Sequence, residues 1–357
     1  MRSLHAAERL AARRAVRATV AAWLDGLDDR RLRELVAAGT PLGVGIGGRA
    51  AVVEVAGTPV FVKRVPLTAL ELRPEHARST ANLFALPTWY QYPLGSAGFG
   101  AWRELAAHAM TTEWVLTNAY EGFPLTYHWR VLPDTPPEGF VDEFGGIDGA
   151  VAHWENSPRV RARLEAISRS PASLVLFLEY VPHTLADWLR AHSQPGTAGG
   201  ADSPFPWAER ALRRGTAFLR SRGMVHFDAH LANVLTDGQH LYFADLGLAL
   251  SSRFALTPAE TGFLTEHLAY DQHHAVGQLL RHHVLADLPG EPGPVEFLRA
   301  WPAGRSRAPA AGGAEVAALI DRHARATVAL HDFHRDLLTV SKRTPFPAAR
   351  LRRLAPP

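Results

Sequence analysis

The sequence predicts an α+β protein with a β-rich N-terminal part followed by a mostly helical C-terminal part. Short β-branched runs separated by Gly and Pro turns fill residues 41–65, a pattern typical of an antiparallel meander. Residues 174–181 (LVLFLEYV) form a continuous apolar run of the kind that lies buried on both faces of a sheet. Beyond residue 258 helical patterns dominate, so that strands come first along the chain and helices last.

The N-terminal segment carries apolar side chains at helical spacing. Over residues 3–38 this spacing predicts two short amphipathic helices, broken near Asp25–Asp29. The chain has 357 residues, which is long for one ordinary core, so a large two-part domain or two domains is expected. We predict a helical extension over residues 1–39, a β-rich part over 40–181 and a helical part over 182–357.

The other elements follow from the same patterns. Residues 66–98 and 133–149 are rich in Pro, Gly and aromatic side chains, and we expect irregular structure there. A fourth strand is predicted at 125–132. Helices are predicted at 101–116, 151–168, 185–191, 207–222, 258–288 and 313–340.

Composition excludes several classes of protein. The absence of cysteine excludes disulfides, thiolate zinc sites and a cysteine nucleophile. No apolar stretch approaches the length of a membrane span, and the N-terminus lacks the pattern of a secretory signal, so we expect a cytoplasmic protein. The net charge is only +3 and the basic residues are scattered, so we expect neither a nucleic-acid nor a membrane partner.

Lysine is very rare in this chain. Of 38 basic residues only Lys63 and Lys342 are lysines. Because arginine serves at nearly every other basic position, each lysine suggests a position where a compact ammonium group is required.

The most informative stretch is His226-Phe227-Asp228-Ala229-His230-Leu231-Ala232-Asn233, followed by Asp245-Leu246-Gly247. Phosphoryl transfer needs an oriented acceptor and metal ions that neutralise polyphosphate charge. Asp228 could accept the proton of an acceptor hydroxyl, while Asn233 and Asp245 offer hard oxygen ligands for Mg²⁺. The alternatives are incidental polar residues on a hairpin, or a His-x-Asp-x-His metal site.

This stretch resembles the protein-kinase-like superfamily, with its catalytic loop H-x-D-x-x-x-x-N and its metal-binding D-x-G. The histidine His230 makes the loop more similar to that of aminoglycoside and related small-molecule phosphotransferases. Phe227 departs from the usual arginine or glycine and Leu246 from the usual phenylalanine, but neither change removes a charged group. The resemblance covers roughly residues 40–290, with insertions at 66–98 and 133–170. It implies a bilobal fold, ATP and Mg²⁺.

A glycine-rich loop precedes the predicted meander strands. The spacing of Gly43, Gly45 and Gly48 also occurs in dinucleotide-binding folds, where the loop opens a helix. Here residues 49–55 (RAAVVEV) alternate like a strand, so we expect the loop to cap a β-hairpin and to approach phosphate oxygens with its backbone amides.

Lys63 lies on the following predicted strand, in Val-Phe-Val-Lys. It resembles the strand lysine that holds the α- and β-phosphates in kinases, and a lysine on an exposed strand face is the alternative. The resemblance also requires a helix glutamate as its partner. We predict Glu104 for this role, with Glu71, Glu75 and Glu113 as alternatives.

Two further segments fit the same resemblance. The apolar strand that ends at Glu179-Tyr180-Val181 resembles the hinge, and we expect the backbone at Glu179 and Val181 to bind the adenine edge. Asp271 fits the buried helix aspartate that follows the activation segment. That segment is short, which favours small-molecule or atypical acceptors over a docked protein.

The predicted function is ATP-dependent transfer of the γ-phosphate to a hydroxyl of a small molecule or a peptide, with Asp228, Lys63 and Glu104 as catalytic residues. A protein Ser/Thr kinase is the first alternative, and a nucleotide-binding pseudokinase scaffold is the second. From residue 246 onward ten acidic and thirteen basic residues disfavour an aminoglycoside polycation. The pairs His273-His274 and His282-His283 could suggest a metal, but adjacent helix residues point apart, and we expect solvated or capping roles.

Overall fold

The computed structural model describes residues 2–45, 48–193, 203–286, 293–304 and 313–354. Its architecture is α+β, as predicted. The helices are α1 (Arg2–Asp25), α2 (Asp29–Ala37), α3 (Ala101–Leu116), α4 (Ile147–His153), α5 (Pro158–Ile167), α6 (Leu185–His192), α7 (Pro204–Ser221), α8 (Pro258–His267), α9 (Tyr270–Leu279), α10 (Pro294–Ala300), α11 (Gly313–Thr339) and α12 (Ala348–Leu354). The strands are β1 (Thr40–Gly45), β2 (Gly48–Val55), β3 (Thr58–Leu67), β4 (Thr126–Pro133), β5 (Ala172–Glu179), β6 (His183–Thr184), β7 (Met224–Val225), β8 (Val234–Thr236), β9 (Leu241–Phe243) and β10 (Leu250–Ser251).

The chain divides into two compact units. The first unit contains Met1–Val181, Asp245–Ala249 and Arg253–Ala259, and the second contains Pro182–Ala244, Leu250–Ser252 and Glu260–Pro357. The N-terminal helices, predicted as a separate extension, therefore belong to the same unit as the sheet. Two short segments that the sequence placed in the C-terminal part also belong to the first unit.

The first unit is built on a five-stranded antiparallel sheet in the order β1-β2-β3-β5-β4. Strands β1 to β3 form the predicted meander. Strand β5 lies between β3 and β4, and its residues from Ala172 to Leu178 are buried, as the continuous apolar run predicted. Helix α1 packs on β4, which explains why the N-terminal residues belong to this unit.

The two insertions share one hydrophobic core. Trp89 of the first insertion stacks on Trp154 of the second, with ring centroids 5.9 Å apart. The single helix predicted over 151–168 is in fact two helices, because Glu155 and Asn156 adopt φ values of 53° and 55°. The buried residues of this core are Leu86, Tyr90, Phe99, Phe140, Val141, Ala150, Val151, Trp154, Val160, Leu164 and Ile167.

The second unit is mostly helical. Helices α7, α9, α10 and α11 pack together, and the short strands form a β6-β8-β9 sheet and a β7-β10 pair. The helix predicted over 258–288 is interrupted between His267 and Tyr270, and it continues as a π-helical turn at Leu280–Val284. Within the part of the chain that the structure describes, no helix combines the length and apolar character needed to cross a membrane.

Candidate active site

Lys63 lies in the middle of β3, paired with Ala50 on one side and Leu176 on the other. Its side chain is buried, and its Nζ atom is 2.7 Å from Glu104 Oε1 and 2.7 Å from Asp245 Oδ1. The ion pair predicted between Lys63 and Glu104 is therefore present. Because the ammonium group contacts two carboxylates, Lys63 is not a lysine on an exposed strand face.

The two carboxylates stabilise the positive charge of Lys63. Burial alone would lower the pKa of the Lys63 ammonium, but the nearby charges of Asp245 and Glu104 outweigh burial and raise that pKa. Glu104 is also buried, and this burial raises the pKa of its carboxyl even though Lys63 acts in the opposite direction. The cluster keeps a charged ammonium at a buried position on the sheet.

The alternative partners for Lys63 have other positions. Glu75 lies on an exposed turn, and Glu113 pairs with Arg253 at 3.3 Å. Glu71 is buried, and its carboxylate accepts hydrogen bonds from the Ala101 backbone N–H and from Arg163. Since Ala101 begins α3, Glu71 satisfies a backbone donor at the start of the helix that carries Glu104.

Asp245 directly precedes a tight turn at Leu246–Leu248, and its Oδ1 also accepts a hydrogen bond from the Gly247 backbone N–H at 3.3 Å. Its φ of 55° is left-handed, which is a strained conformation for a residue with a side chain. The side chain of Asp245 is 41% exposed. Its carboxylate could therefore hold a hard cation while it contacts Lys63. Carboxylate oxygens are ligands that Mg²⁺ prefers.

The glycine-rich segment forms the β1-β2 hairpin, in which Gly45 pairs with Gly48. Residues 46 and 47 lie outside the described residues. Gly43 and Gly48 have φ values of 150° and 128°, and a Cβ atom on Gly48 would lie 2.3 Å from the Arg64 carbonyl oxygen. Because Gly48 begins a strand, the helix required by the dinucleotide alternative is not formed there.

The end of β5 was predicted to be the hinge. The Glu179 backbone N–H donates to the Leu125 carbonyl at 2.8 Å, so the carbonyl of Glu179 remains the group for the predicted adenine contact. Val181, the last residue of the first unit's main segment, lies two residues beyond the end of the strand. Whether Glu179 and Val181 bind a nucleotide stays a prediction.

Arg13 is a residue of this region that sequence reasoning missed. Its guanidinium donates to both carboxylate oxygens of Glu179, at 2.9 and 2.7 Å, and to the carbonyls of Glu121 and Phe123. Helix α1 is thereby tied to the end of β5. Arg13 lies three residues after the buried Leu10, on the predicted apolar face of the helix. An arginine on that face was the signal in the sequence that could have indicated a buried role.

In the second unit, Asp228 and Asn233 contact each other. The Asn233 amide nitrogen donates to Asp228 Oδ2 at 3.0 Å and to the Asp228 carbonyl at 3.1 Å. Because the amide nitrogen is used in these two hydrogen bonds, the amide oxygen of Asn233 is the atom that could hold a metal. His230 Nδ1 accepts a hydrogen bond from the Ala232 N–H, and its Nε2 lies 3.6 Å from Asp228 Oδ1.

The loop that carries Asp228 is anchored by Asp271. The carboxylate oxygens of Asp271 accept the backbone N–H groups of His226, at 2.6 Å, and of Phe227, at 2.9 Å. Burial raises the pKa of Asp271 to about 7, although these two hydrogen bonds act in the opposite direction. Asp271 is a buried residue of helix α9, and the sequence had likewise placed it on a buried helix.

Phe227 has a structural role in this loop. The side chain is fully buried and stacks on Phe263, with ring centroids 5.7 Å apart. Its φ is 65°, which is rare for a bulky residue. The two hydrogen bonds to Asp271 and this aromatic packing hold the loop in that conformation.

Solvated or capping roles were expected for the two histidine pairs, but His273 and His274 are buried, so neither is solvated. His282 of the other pair is exposed. Among the residues that the structure describes, no three His, Asp or Glu side chains are grouped as a metal site. Burial lowers the pKa of His267 and of His273 to about 4, and that of His274 well below its usual value.

These buried histidines predict loss of stability in acid. An unfolded histidine takes up a proton near pH 6.5, whereas His267 and His273 resist protonation down to about pH 4 when folded. These histidines therefore lower the free energy of unfolding as the pH falls from 6.5 toward 4, by up to about 1.4 kcal/mol per pH unit for each histidine. Between pH 3.8, the unfolded pKa of Asp271, and about pH 7, the raised pKa of this residue changes the free energy of unfolding in the opposite direction. Its effect offsets that of about one histidine.

Urea unfolding at pH 7 and pH 5 measures this effect. His267→Phe should reduce the difference, because a phenyl ring keeps the stacking on Phe263 and Phe346 but does not titrate. Equal free energies of unfolding at the two pH values for the unmodified protein would contradict the assignment of these histidines as buried and neutral.

The chain matches no family model, and no curated protein is significantly similar to it in sequence.

Proposed function

We propose that the chain is an ATP- and Mg²⁺-dependent phosphotransferase with a protein-kinase-like fold. In this proposal the first unit corresponds to the β-rich lobe and the second unit to the helical lobe. The observation that carries the proposal is the position of Lys63, whose ammonium lies 2.7 Å from both Glu104 and Asp245. A lysine on the third strand, a helix glutamate and the aspartate of a D-x-G turn are the groups that kinases use around nucleotide phosphates.

Each residue then has a defined role in the first unit. Lys63 binds the α- and β-phosphate oxygens as a compact point charge, and Glu104 orients it. The backbone of the hairpin at Gly43, Gly45 and Gly48 lies over the phosphates. Asp245 would hold Mg²⁺, and the bound ion would neutralise the phosphate charge.

The second unit supplies the groups for the acceptor. Asp228 accepts the proton of the acceptor hydroxyl as that oxygen bonds to the γ-phosphorus and the bond to ADP breaks. Asn233 holds Asp228 through its amide nitrogen and offers its amide oxygen to a metal. His230 Nε2 lies 3.6 Å from Asp228 Oδ1. In this position the ring can contact either Asp228 or the acceptor.

The acceptor is proposed to be a hydroxyl of a small molecule or of a peptide. The interval from Asp245 to Asp271 is short, which leaves little chain for docking a protein substrate. For that reason a small-molecule acceptor is preferred over a protein Ser/Thr kinase function.

Binding of ATP with Mg²⁺ should raise the melting temperature. A ligand that binds only the folded state stabilises it by about 2.7 kcal/mol at a hundredfold excess over Kd. The measurement is a thermal unfolding series with ATP and Mg²⁺, with ATP and EDTA, and with Mg²⁺ alone. Unchanged melting of the folded protein at millimolar ATP and Mg²⁺ would rule out the nucleotide site.

A further inference from the structure

The first insertion, residues 66–98, makes direct contacts with the D-x-G turn and with the chain that follows it. All of the residues involved belong to the first unit. Asp245 directly precedes Leu246–Leu248 of this turn, and its φ of 55° is strained. A strained residue keeps its conformation only where the surrounding structure holds it, so the contacts that hold this turn are of functional interest.

One contact is a buried hydrogen bond. The side chain of Gln91 is 3% exposed, and its amide nitrogen donates to the carbonyl of Leu248. Leu248 is the last residue of the turn that follows Asp245. Since a buried carbonyl without a donor is costly, Gln91 favours this position of the turn over others.

A second contact is between two backbones. Gly98 has a φ of 69°, and a Cβ atom on it would lie 2.8 Å from the carbonyl oxygen of Gly247. Gly247 in turn lies against Glu104 and Asp245, because a Cβ atom there would lie 3.2 Å from Glu104 Oε2 and 3.3 Å from Asp245 Oδ1. The insertion therefore supports the turn directly behind the Lys63 cluster.

A third contact holds the chain after the turn. The Ala255 backbone N–H donates to Thr80 Oγ1 at 2.8 Å. Arg103 of α3 donates to the Thr80 carbonyl at 2.7 Å and lies over the ring of Phe254, 5.6 Å from its centroid. The insertion, α3 and the chain around Phe254 are thus connected to one another.

The insertion is itself firmly held. Glu71 and Arg163 form an ion pair of 2.8 Å in which both side chains are 2% exposed. Removing one partner of such a buried pair is strongly destabilising. Together with the aromatic core shared by the two insertions, this pair gives the first insertion a fixed surface against which the turn can rest.

We propose that the first insertion is an internal brace that holds Asp245 in its metal-binding position. This inference rests on the proposed function, and it concerns how the site is regulated. Kinase activation segments are commonly ordered by phosphorylation, which supplies new contacts to the segment. Here the chain's own Gln91, Gly98 and Thr80 supply those contacts, so the transfer site is assembled without covalent modification.

The test compares two glycine substitutions with the same backbone strain. Gly98→Ala places a methyl group against the Gly247 carbonyl, whereas Gly57→Ala, at a φ of 75°, would meet no described atom within 4 Å. Gly98→Ala should increase amide hydrogen exchange over residues 245–259 and should raise the Mg²⁺ concentration for half-maximal transfer about 10-fold. Gly57→Ala should change neither quantity, and phosphatase treatment should leave the wild-type rate unchanged.

A second pair of variants tests the hydrogen bond. Gln91→Met keeps the length of the side chain but removes the donor to Leu248, and it should shift exchange and Mg²⁺ dependence in the same direction. Gln239→Met makes the same change at an exposed position and should have no effect. If Gly98→Ala does not fold, this pair decides the question.

The outcomes separate the two proposals. If the wild type transfers phosphate but Gly98→Ala and Gln91→Met match their controls in both readouts, the brace is wrong and the proposed function stands. If the wild type transfers nothing, the proposed function fails, and the exchange comparison still decides whether the insertion holds the turn. A wild-type rate that depends on phosphorylation of the chain would also overturn the brace.

Discussion

Lys63→Arg should lower kcat/KM by about 10²-fold or more, although it keeps the charge. The Lys63 side chain is 8% exposed, and its Nζ atom lies 2.7 Å from Glu104 and from Asp245. A guanidinium group is planar and wider, so it cannot occupy this position without displacing one carboxylate. The expected loss is that of one oriented electrostatic contact at a reacting centre, and steady-state kinetics at saturating acceptor would measure it.

The chain offers a matched control at its other lysine. Lys342 is also buried, and its Nζ donates to the Leu337 carbonyl at 3.0 Å, near the end of α11. Lys342→Arg should affect stability but leave kcat/KM within about twofold, because this residue has no role in transfer in our account. Wild-type kinetics for Lys63→Arg would mean that the nucleotide site lies elsewhere.

Asp228→Asn should lower kcat by about 10²- to 10⁴-fold, the range for removal of a general base. The amide keeps the size of the carboxyl group but cannot accept the hydroxyl proton. Nucleotide binding should remain nearly unchanged, since Asp228 has no assigned phosphate contact. The measurements are the transfer rate and the ATP-induced rise in melting temperature, determined on the same preparation.

Asp187→Asn is the control for this substitution, since Asp187 is an exposed residue of α6. It should leave turnover unchanged. The division of roles also predicts that Asp245→Asn weakens Mg²⁺-dependent binding, because a metal ligand loses its charge. If Asp228→Asn and Asp245→Asn have the same effects on binding and on transfer, the assigned roles are wrong.

The parts of the fold that carry periodic patterns could be predicted from the sequence. Helix α3 begins at Ala101 and ends at Leu116, as expected from its apolar spacing. The meander of β1 to β3 also formed as predicted. Glu104 could be identified as the partner of Lys63 because the helix directly precedes a strand, and the rarity of lysine marked Lys63 itself.

The two insertions could not be interpreted in the same way. Residues 66–98 have no repeating apolar pattern, and their structure depends on distant partners. Glu71 is bonded to Arg163, 92 positions away in sequence, and Gln91 is bonded to Leu248, 157 positions away. Local propensity contains no information about such pairs, so the role of this segment became visible only in the structure.

Polar residues at buried positions were also difficult to place from the sequence. An arginine on an amphipathic helix is ordinarily assigned to solvent, yet Arg13 makes four hydrogen bonds, to Glu179 and to the carbonyls of Glu121 and Phe123. His273 was likewise expected at the surface and is buried. In both cases the side chain lies within a tertiary contact that helical periodicity alone does not reveal.

The most direct test of the phosphotransferase assignment is transfer of the γ-phosphate from labelled ATP to mixtures of hydroxyl-bearing small molecules and peptides, with Mg²⁺ present. Our account predicts labelled product and stoichiometric ADP with the wild type, and about 10²- to 10⁴-fold less of both with Asp228→Asn. The contrary result is a wild-type protein that binds ATP and Mg²⁺ but transfers no label to any acceptor and behaves identically to Asp228→Asn. That result would identify a nucleotide-binding scaffold instead of an enzyme.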